Sequence, residues 1–256
     1  MQYSVCIDMM FKYLDFYDRF KEAANCGFDA VEFWKWSNKD IECVCELLTE
    51  SKLKLSIFNL DCRDEKLSYD LSRGILNQGR ADEFVYAIEE SIPIYRRLNA
   101  AAMIVLIGET QELPYNQQIE NVVECLLKAK PIVEKENIHL VVEPLNNIDR
   151  KNYFLPRSKE VFDILREVNS SNIKLLFDIY HEQRMAGNLI DTITHNIDMI
   201  GHFHVADSPE RNEPGMGEIN YENVLRAIEK TKYTKYVGLE YRASKKDKDT
   251  LDFIRR

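Results

Sequence analysis

Short apolar runs alternate along the chain with longer segments whose apolar residues recur at helical spacing. The runs are rich in β-branched and aromatic residues and fall at Tyr3–Ile7, Ala30–Phe33, Leu53–Phe58, Ala102–Ile107, His139–Val142, Ile173–Phe177, His202–Ala206 and Tyr236–Leu239. Runs of this length and composition read as buried strands. Between them, five sets of residues each lay one apolar stripe along a helix. They are Leu14, Tyr17, Lys21 and Ala24; Phe84, Ile88, Ile92 and Tyr95; Ile119, Val122, Val123, Leu126 and Leu127; Val161, Phe162, Leu165 and Val168; and Tyr221, Val224, Leu225 and Ile228. Pro93 and Pro131 fall inside two of these patterns and predict a kink or an interruption there. A short last helix is expected from Asp247 to Arg256.

The order is βα repeated, with no composition break and no Pro/Gly/Ser-rich linker. It predicts an α/β protein, a single-domain (β/α)8 TIM barrel over residues 1–256, in keeping with the usual barrel length of about 250 residues. The alternative architecture is an open doubly wound sheet. Such a sheet announces a nucleotide by a glycine-rich turn after its first strand, where this chain reads Ile7-Asp8-Met9-Met10-Phe11. With only 9 glycines in the chain, a backbone loop that cradles phosphate has few candidates.

Charge narrows the range of partners. The 34 Lys+Arg against 43 Asp+Glu leave a net charge of -9, which repels nucleic acid and anionic lipid unless basic residues are strongly segregated. The one basic run, Lys245-Lys246-Asp247-Lys248, is interrupted by an acid and reads as a solvated loop. No apolar stretch approaches the roughly 18 residues of a membrane span. The N-terminus lacks the basic region of a signal peptide, so a cytoplasmic location is expected. The six cysteines read as reduced thiols. Cys43 and Cys45 stand two apart on a helical segment and face different sides, which disfavours a shared metal.

In a barrel, chemistry sits at the C-terminal ends of the strands. Here four consecutive strands end in, or carry near their ends, Glu143, Asp178, His204 and Glu240, which predicts four ionisable side chains on one rim. Their separations of 35, 26 and 36 residues form no local motif, so only the fold can bring them together. Each alone has a plainer reading, as a carboxylate or imidazole paired with a basic residue or solvated at the rim. Together, three carboxylates and one imidazole make a hard donor set suited to Mg2+ or Mn2+, with Co2+ next.

Two further residues are candidates for substrate contact. His181 is expected in the loop above the rim as a donor, its plainer reading being a histidine bonded to backbone. Arg211 is expected to clamp an anionic or hydroxylated substrate, its plainer reading being a surface salt bridge. His202 reads as a barrel-interior residue one layer below His204. For each of Trp34 and Trp36 the plainer reading is packing under the rim, with a wall of the pocket as the alternative for one of them. Gly215-Met216-Gly217 reads as a turn into the helix at Tyr221, with Asn220 as its N-cap. His139 and His195 carry no signal.

Several segments resemble the hydroxypyruvate isomerase family, which belongs to the xylose-isomerase-like barrels. They are Glu143-Pro144-Leu145-Asn146, Asn152-Tyr153-Phe154-Leu155, Asp178-Ile179-Tyr180-His181-Glu182-Gln183-Arg184-Met185, Asn212 to Tyr221, and Val237-Gly238-Leu239-Glu240-Tyr241. The similarity extends to Ser72-Arg73-Gly74-Ile75 and Gly79 to Phe84, and is densest from residue 139 to 242. The resemblance implies that Glu143 and Glu240 are paired catalytic carboxylates and that, with Asp178 and position 204, they surround a divalent metal. It implies conversion of hydroxypyruvate to tartronate semialdehyde, or of a close 2-oxo acid or keto sugar, by proton transfer through an enediolate. That family usually carries glutamine where this chain has His204, whereas the related ketose 3-epimerases carry histidine. Asn152 likewise stands where glycine is common.

The alternatives are therefore a ketose 3-epimerase, a sugar-binding protein that keeps the pocket without chemistry, and a metal-dependent phosphodiesterase or AP endonuclease. Retention of both glutamates counts against the second; five histidines and the acidic balance count against the third. The expected partner is a small hydroxy-carbonyl substrate, with no nucleic acid and no membrane. Association into a homo-oligomer is compatible with the short last helix.

Overall fold

In a computed structural model that describes residues 1–254, the eight strands close into one parallel barrel in sequence order. They are β1 (Gln2–Cys6), β2 (Ala30–Phe33), β3 (Lys54–Asn59), β4 (Ala102–Leu106), β5 (Leu140–Glu143), β6 (Ile173–Asp178), β7 (Ile200–Val205) and β8 (Tyr236–Leu239). β8 pairs back to β1 through Tyr3 with Val237 and Ser4 with Gly238, so no strand edge is left open. Every residue of β2, β4 and β5 is buried, as a sheet covered by helices on one side and filled on the other requires.

The connecting helices are α1 (Asp18–Asn25), α2 (Ile41–Glu50), α3 (Glu65–Arg73), α4 (Ala81–Arg97), α5 (Tyr115–Glu136), α6 (Ser158–Val168), α7 (Ile179–Met185), α8 (Leu189–Asn196) and α9 (Tyr221–Lys230). Polar caps fix several starts. Asp40, Asp64 and Asp178 accept backbone N–H bonds at the heads of α2, α3 and α7, and Asn220 caps α9 as its sequence suggests. Asn137 and Asn169 end α5 and α6 in the left-handed region, at φ 50° and 48°, and turn the chain toward the next strand. Asn152 adopts φ 63°, the conformation that glycine supplies most cheaply.

Three sequence expectations are corrected. First, α1 begins at Asp18, so Leu14 and Tyr17 lie in the turns before it. Second, α4 and α5 run through Pro93 and Pro131 without interruption. An interior proline costs roughly 3 kcal/mol. Phe84, Ile88 and Tyr95 on α4, and Val122, Leu126 and Val133 on α5, are buried and each contribute on the order of 1.5–3 kcal/mol, which outweighs it. Third, the helix expected from Asp247 is two short 3-10 turns, Asp247–Thr250 and Asp252–Ile254; the rest of that expectation lies outside the described residues. Thr250 Oγ1 donates to the Asp247 carbonyl and bonds Tyr241 Oη, which closes a tight turn in place of an α-turn. Among the described residues no helix is long and apolar enough to cross a membrane. None of the six cysteines, all of them among the described residues, is in a disulfide.

Candidate active site

The barrel brings together the four residues that the sequence scatters. Glu143 and Asp178 are the last residues of β5 and β6, His204 is the penultimate residue of β7, and Glu240 follows β8 directly. Register places Asp178 beside His204, and His204 beside Gly238. All four are buried, and one ligand atom from each lies within 4.8 Å of the others. His204 Nδ1 is 3.5 Å from Glu143 Oε1 and 3.4 Å from Glu240 Oε2. Glu143 Oε1, Asp178 Oδ2 and His204 Nδ1 are buried with no hydrogen-bond partner among the described residues. Burying such polar atoms unsatisfied costs several kcal/mol, which a shared cation, taking the place of a proton on the imidazole, would offset. Three oxygens and one nitrogen fit a hard divalent ion, so this group can hold one.

The charges are tightly interlocked. Burial pushes the Glu143 carboxyl up to about 7, with Glu240 and Asp178 adding to the rise and His204 opposing it. Burial also raises Asp178, against the pull of Arg211 and His204. For His204, burial disfavours the cation, but Glu240, Glu32 and Glu143 together hold its pKa well above the ordinary value. Glu240 is flanked by donors on both oxygens. Trp34 Nε1 donates to Oε1 at 3.1 Å, and Arg211 Nη2 pairs with Oε2.

Arg211 thus lies against the site. Besides Glu240 it sits 3.6 Å from Asp178 Oδ2 and over the Tyr180 ring, with the side chain 18% exposed, so its plainer reading as a surface salt bridge does not hold.

His181 is not in a loop. Asp178 Oδ1 accepts from the backbone N–H of both Tyr180 and His181, so α7 starts directly at the strand end and His181 occupies its first turn, buried. The capping uses one carboxylate oxygen and leaves Oδ2 toward the site. His181 Nδ1 accepts from the Asn146 N–H at 3.1 Å, which places the ring proton on Nε2, 3.5 Å from Asp178 Oδ2. Burial and then Arg211 hold its pKa well below the ordinary range, so the ring is a neutral donor.

Sequence reasoning missed one member of this assembly, Glu32. It stands inside β2, is 2% exposed, and faces His204 Nε2 at 3.4 Å and His202 Nε2 at 3.2 Å. Burial opposes its ionisation, but His204 and His202 outweigh burial and lower its pKa to about 2. The available signal was a carboxylate inside a four-residue, otherwise apolar strand that itself carries no basic residue, which demands a partner from elsewhere. His202 lies one layer below His204 as expected. Trp36 is buried with Nε1 on Ser91 Oγ, while Trp34 lines the opening. That opening is a cavity of about 480 Å³ above Glu143 and Glu240, bordered by Lys35, Lys39, Arg150, Arg211 and Arg242 as well as Asp8 and Asp149.

Residues 20–256 match the family described as xylose isomerase-like TIM barrel. The chain is 36% identical over 244 residues to the hydroxypyruvate isomerase of Escherichia coli (strain K12), across 94% of this chain and 93% of that protein. It belongs to the hydroxypyruvate isomerase family and is an isomerase. It is also 26% identical over 259 residues to a 2-oxo-tetronate isomerase of Pectobacterium atrosepticum, covering 98% of this chain and 95% of that one. A crystal structure of an AP endonuclease, family 2, from Brucella melitensis superposes with a TM-score of 0.92 at 27% identity, over 100% of this chain and 98% of the other. The stretch of this chain that matches the family model includes all four rim residues, Glu32 and Trp34.

Proposed function

We propose that this isomerase interconverts hydroxypyruvate and tartronate semialdehyde, or a closely related short 2-oxo acid, with Glu143 and Glu240 as the proton-transfer pair. The observation that carries this reading is the approach of both buried carboxylates to one atom, His204 Nδ1, beneath an opening bordered by cations. Two carboxylates on either side of one small space can take a proton from one carbon and return it to its neighbour.

Glu143, Asp178, His204 and Glu240 would hold a divalent cation, Mg2+ or Mn2+ by donor type. When bound, such an ion supplies Lewis-acid polarisation of a carbonyl oxygen and positive charge beside it. The chain's own residues do the rest. One glutamate removes a proton from the hydroxyl-bearing carbon and its partner delivers one to the carbonyl carbon, while the hydroxyl proton passes to the former carbonyl oxygen; the glutamate nearer the hydroxyl-bearing carbon acts first. His181 Nε2–H donates to a substrate oxygen, and Arg211 pairs with substrate charge. Buried walls around the rim exclude water and strengthen each contact.

Lys35, Lys39, Arg150 and Arg242 at the mouth favour a substrate carrying a carboxylate over a neutral sugar. His204 supports the second reading, a ketose 3-epimerase, because the resemblance gives histidine to that group. Phosphodiester chemistry is disfavoured by the net charge of -9, and among the described residues the two metal-capable groups share His204.

The test is a screen of short 2-oxo acids, four-carbon oxo acids and ketoses for exchange of carbon-bound hydrogen with D2O, in enzyme stripped by chelator and then resupplied with Mg2+ or Mn2+. Exchange on oxo acids that falls by about a hundredfold or more on stripping and returns with metal is expected. Exchange on ketoses alone favours the epimerase, and undiminished turnover in rigorously metal-free enzyme removes the metal.

A further inference from the structure

We infer that Glu32 is a positioning residue for His204. Its carboxylate accepts the Nε2 proton of that ring and so turns the unprotonated Nδ1 toward Glu143, Asp178 and Glu240, which tightens their hold on a divalent cation. The inference rests on the proposal that those four residues bind such an ion.

The geometry divides the two oxygens of Glu32 between two tasks. Oε2 is anchored: Ser4 Oγ donates to it at 3.4 Å, Ser56 Oγ at 3.2 Å, and His202 Nε2 lies 3.2 Å away. Among the described residues Oε1 has no hydrogen-bond partner, and it faces His204 Nε2, likewise unpartnered, at 3.4 Å. The opposite ring nitrogen of His204 is the one directed at Glu143 and Glu240. A proton on Nε2 leaves the Nδ1 lone pair for a cation, whereas the other tautomer would point N–H into the site.

Room for this carboxylate is made by β8, which flanks β1 on the side opposite β2. A Cβ at Gly238 would lie 2.3 Å from Glu32 Oε1 and 2.8 Å from His202 Nε2, so β8 carries no side chain where the carboxylate sits. A buried carboxylate is a poor choice for filling space, since an apolar side chain does so without desolvation. A carboxylate on the far nitrogen of a metal-binding imidazole fixes its tautomer and orientation, and losing it typically weakens metal affinity by about 10–100-fold.

The experiment titrates chelator-stripped full-length protein with Mn2+ alone and reads free Mn2+ by electron paramagnetic resonance, without reference to turnover. The wild type, Glu32→Gln, His204→Gln and the double variant form a cycle, with melting by circular dichroism as the control for folding. We expect one Mn2+ per chain and a Kd about 10–100-fold weaker in Glu32→Gln. In the His204→Gln background, where no imidazole remains to be oriented, the same change should alter Kd by less than about threefold. Should Glu32→Gln not fold, Glu32→Asp, which withdraws the carboxylate by one methylene, replaces it in the cycle. Unchanged affinity in Glu32→Gln overturns the role, as does an equal loss in both backgrounds, which would mark general packing. A second Mn2+ equivalent that disappears with Glu32→Gln also overturns it, because Glu32, His202 and His204 would then be a site of their own. A wild type that takes up no Mn2+ overturns the cation reading of the rim itself, and this role with it.

Discussion

The two halves of the barrel contribute to the site in different ways. Strands β5 to β8 each deliver an ionisable side chain to the rim, and these four converge within 4.8 Å. Strands β1 to β4 deliver none to that group and supply what surrounds it: Trp34 donates to Glu240 from just beyond β2, and Glu32 approaches His204 from below. On the proposed reading, chemistry sits at strand ends in one half and its support lies in strand interiors and loops in the other. The reacting groups need access to the opening, whereas groups that orient them need only to be rigid and dry.

This contrast is open to test, and its strongest form predicts the largest loss. Glu143→Gln and Glu240→Gln keep shape and remove the proton carrier, so kcat should fall by about 10²–10⁴-fold with little change in melting temperature. A comparable loss from Asn59→Ala, which changes the rim end of β3, would erase the distinction between the halves. Gly238→Ala should act through support alone. A methyl group 2.3 Å from Glu32 Oε1 forces that carboxylate aside, and overpacking of this kind costs about 1–3 kcal/mol in urea-monitored unfolding. Wild-type stability in that variant would mean that the carboxylate has somewhere else to go.

Trp34→Phe removes one donor from Glu240 and keeps most of the ring. Because the indole is partly exposed, the expected loss is modest, about tenfold in kcat, with stability nearly unchanged. No loss at all would reduce Trp34 to a wall. Asn220→Ala, at a position that does not line the opening, should lower stability by only about 1 kcal/mol through the lost cap of α9 and leave kcat untouched. A drop in activity there would show that the loop between β7 and α9 is coupled to the chemistry.

Much of this arrangement is legible in the sequence because its signals are local. Eight apolar runs separated by helical stripes define the barrel, and a charged residue closing an apolar run marks each of β5, β6 and β8. The cap at Asn220 is readable for the same reason. What escapes the sequence is long-range or competitive. Glu32 has its partners on β7, β1 and β3, so nothing near it in the chain shows what satisfies it. His181 reads as a loop residue because the capping role of Asp178 competes with its role at the rim, and one carboxylate serves both with different oxygens. Pro93 and Pro131 break helices in isolation, yet the burial of α4 and α5 outweighs them.

The central claim is that both glutamates handle the proton of one substrate molecule. Its most direct test is the appearance of deuterium at carbon in the tartronate semialdehyde formed from hydroxypyruvate in D2O, a product that needs both glutamates, followed by nuclear magnetic resonance for wild type, Glu143→Gln and Glu240→Gln, all folded and supplied with Mn2+. The account predicts incorporation by the wild type and none above the uncatalysed rate in either variant. Full incorporation by either variant would contradict it, because the missing carboxylate would then have no part in moving the proton.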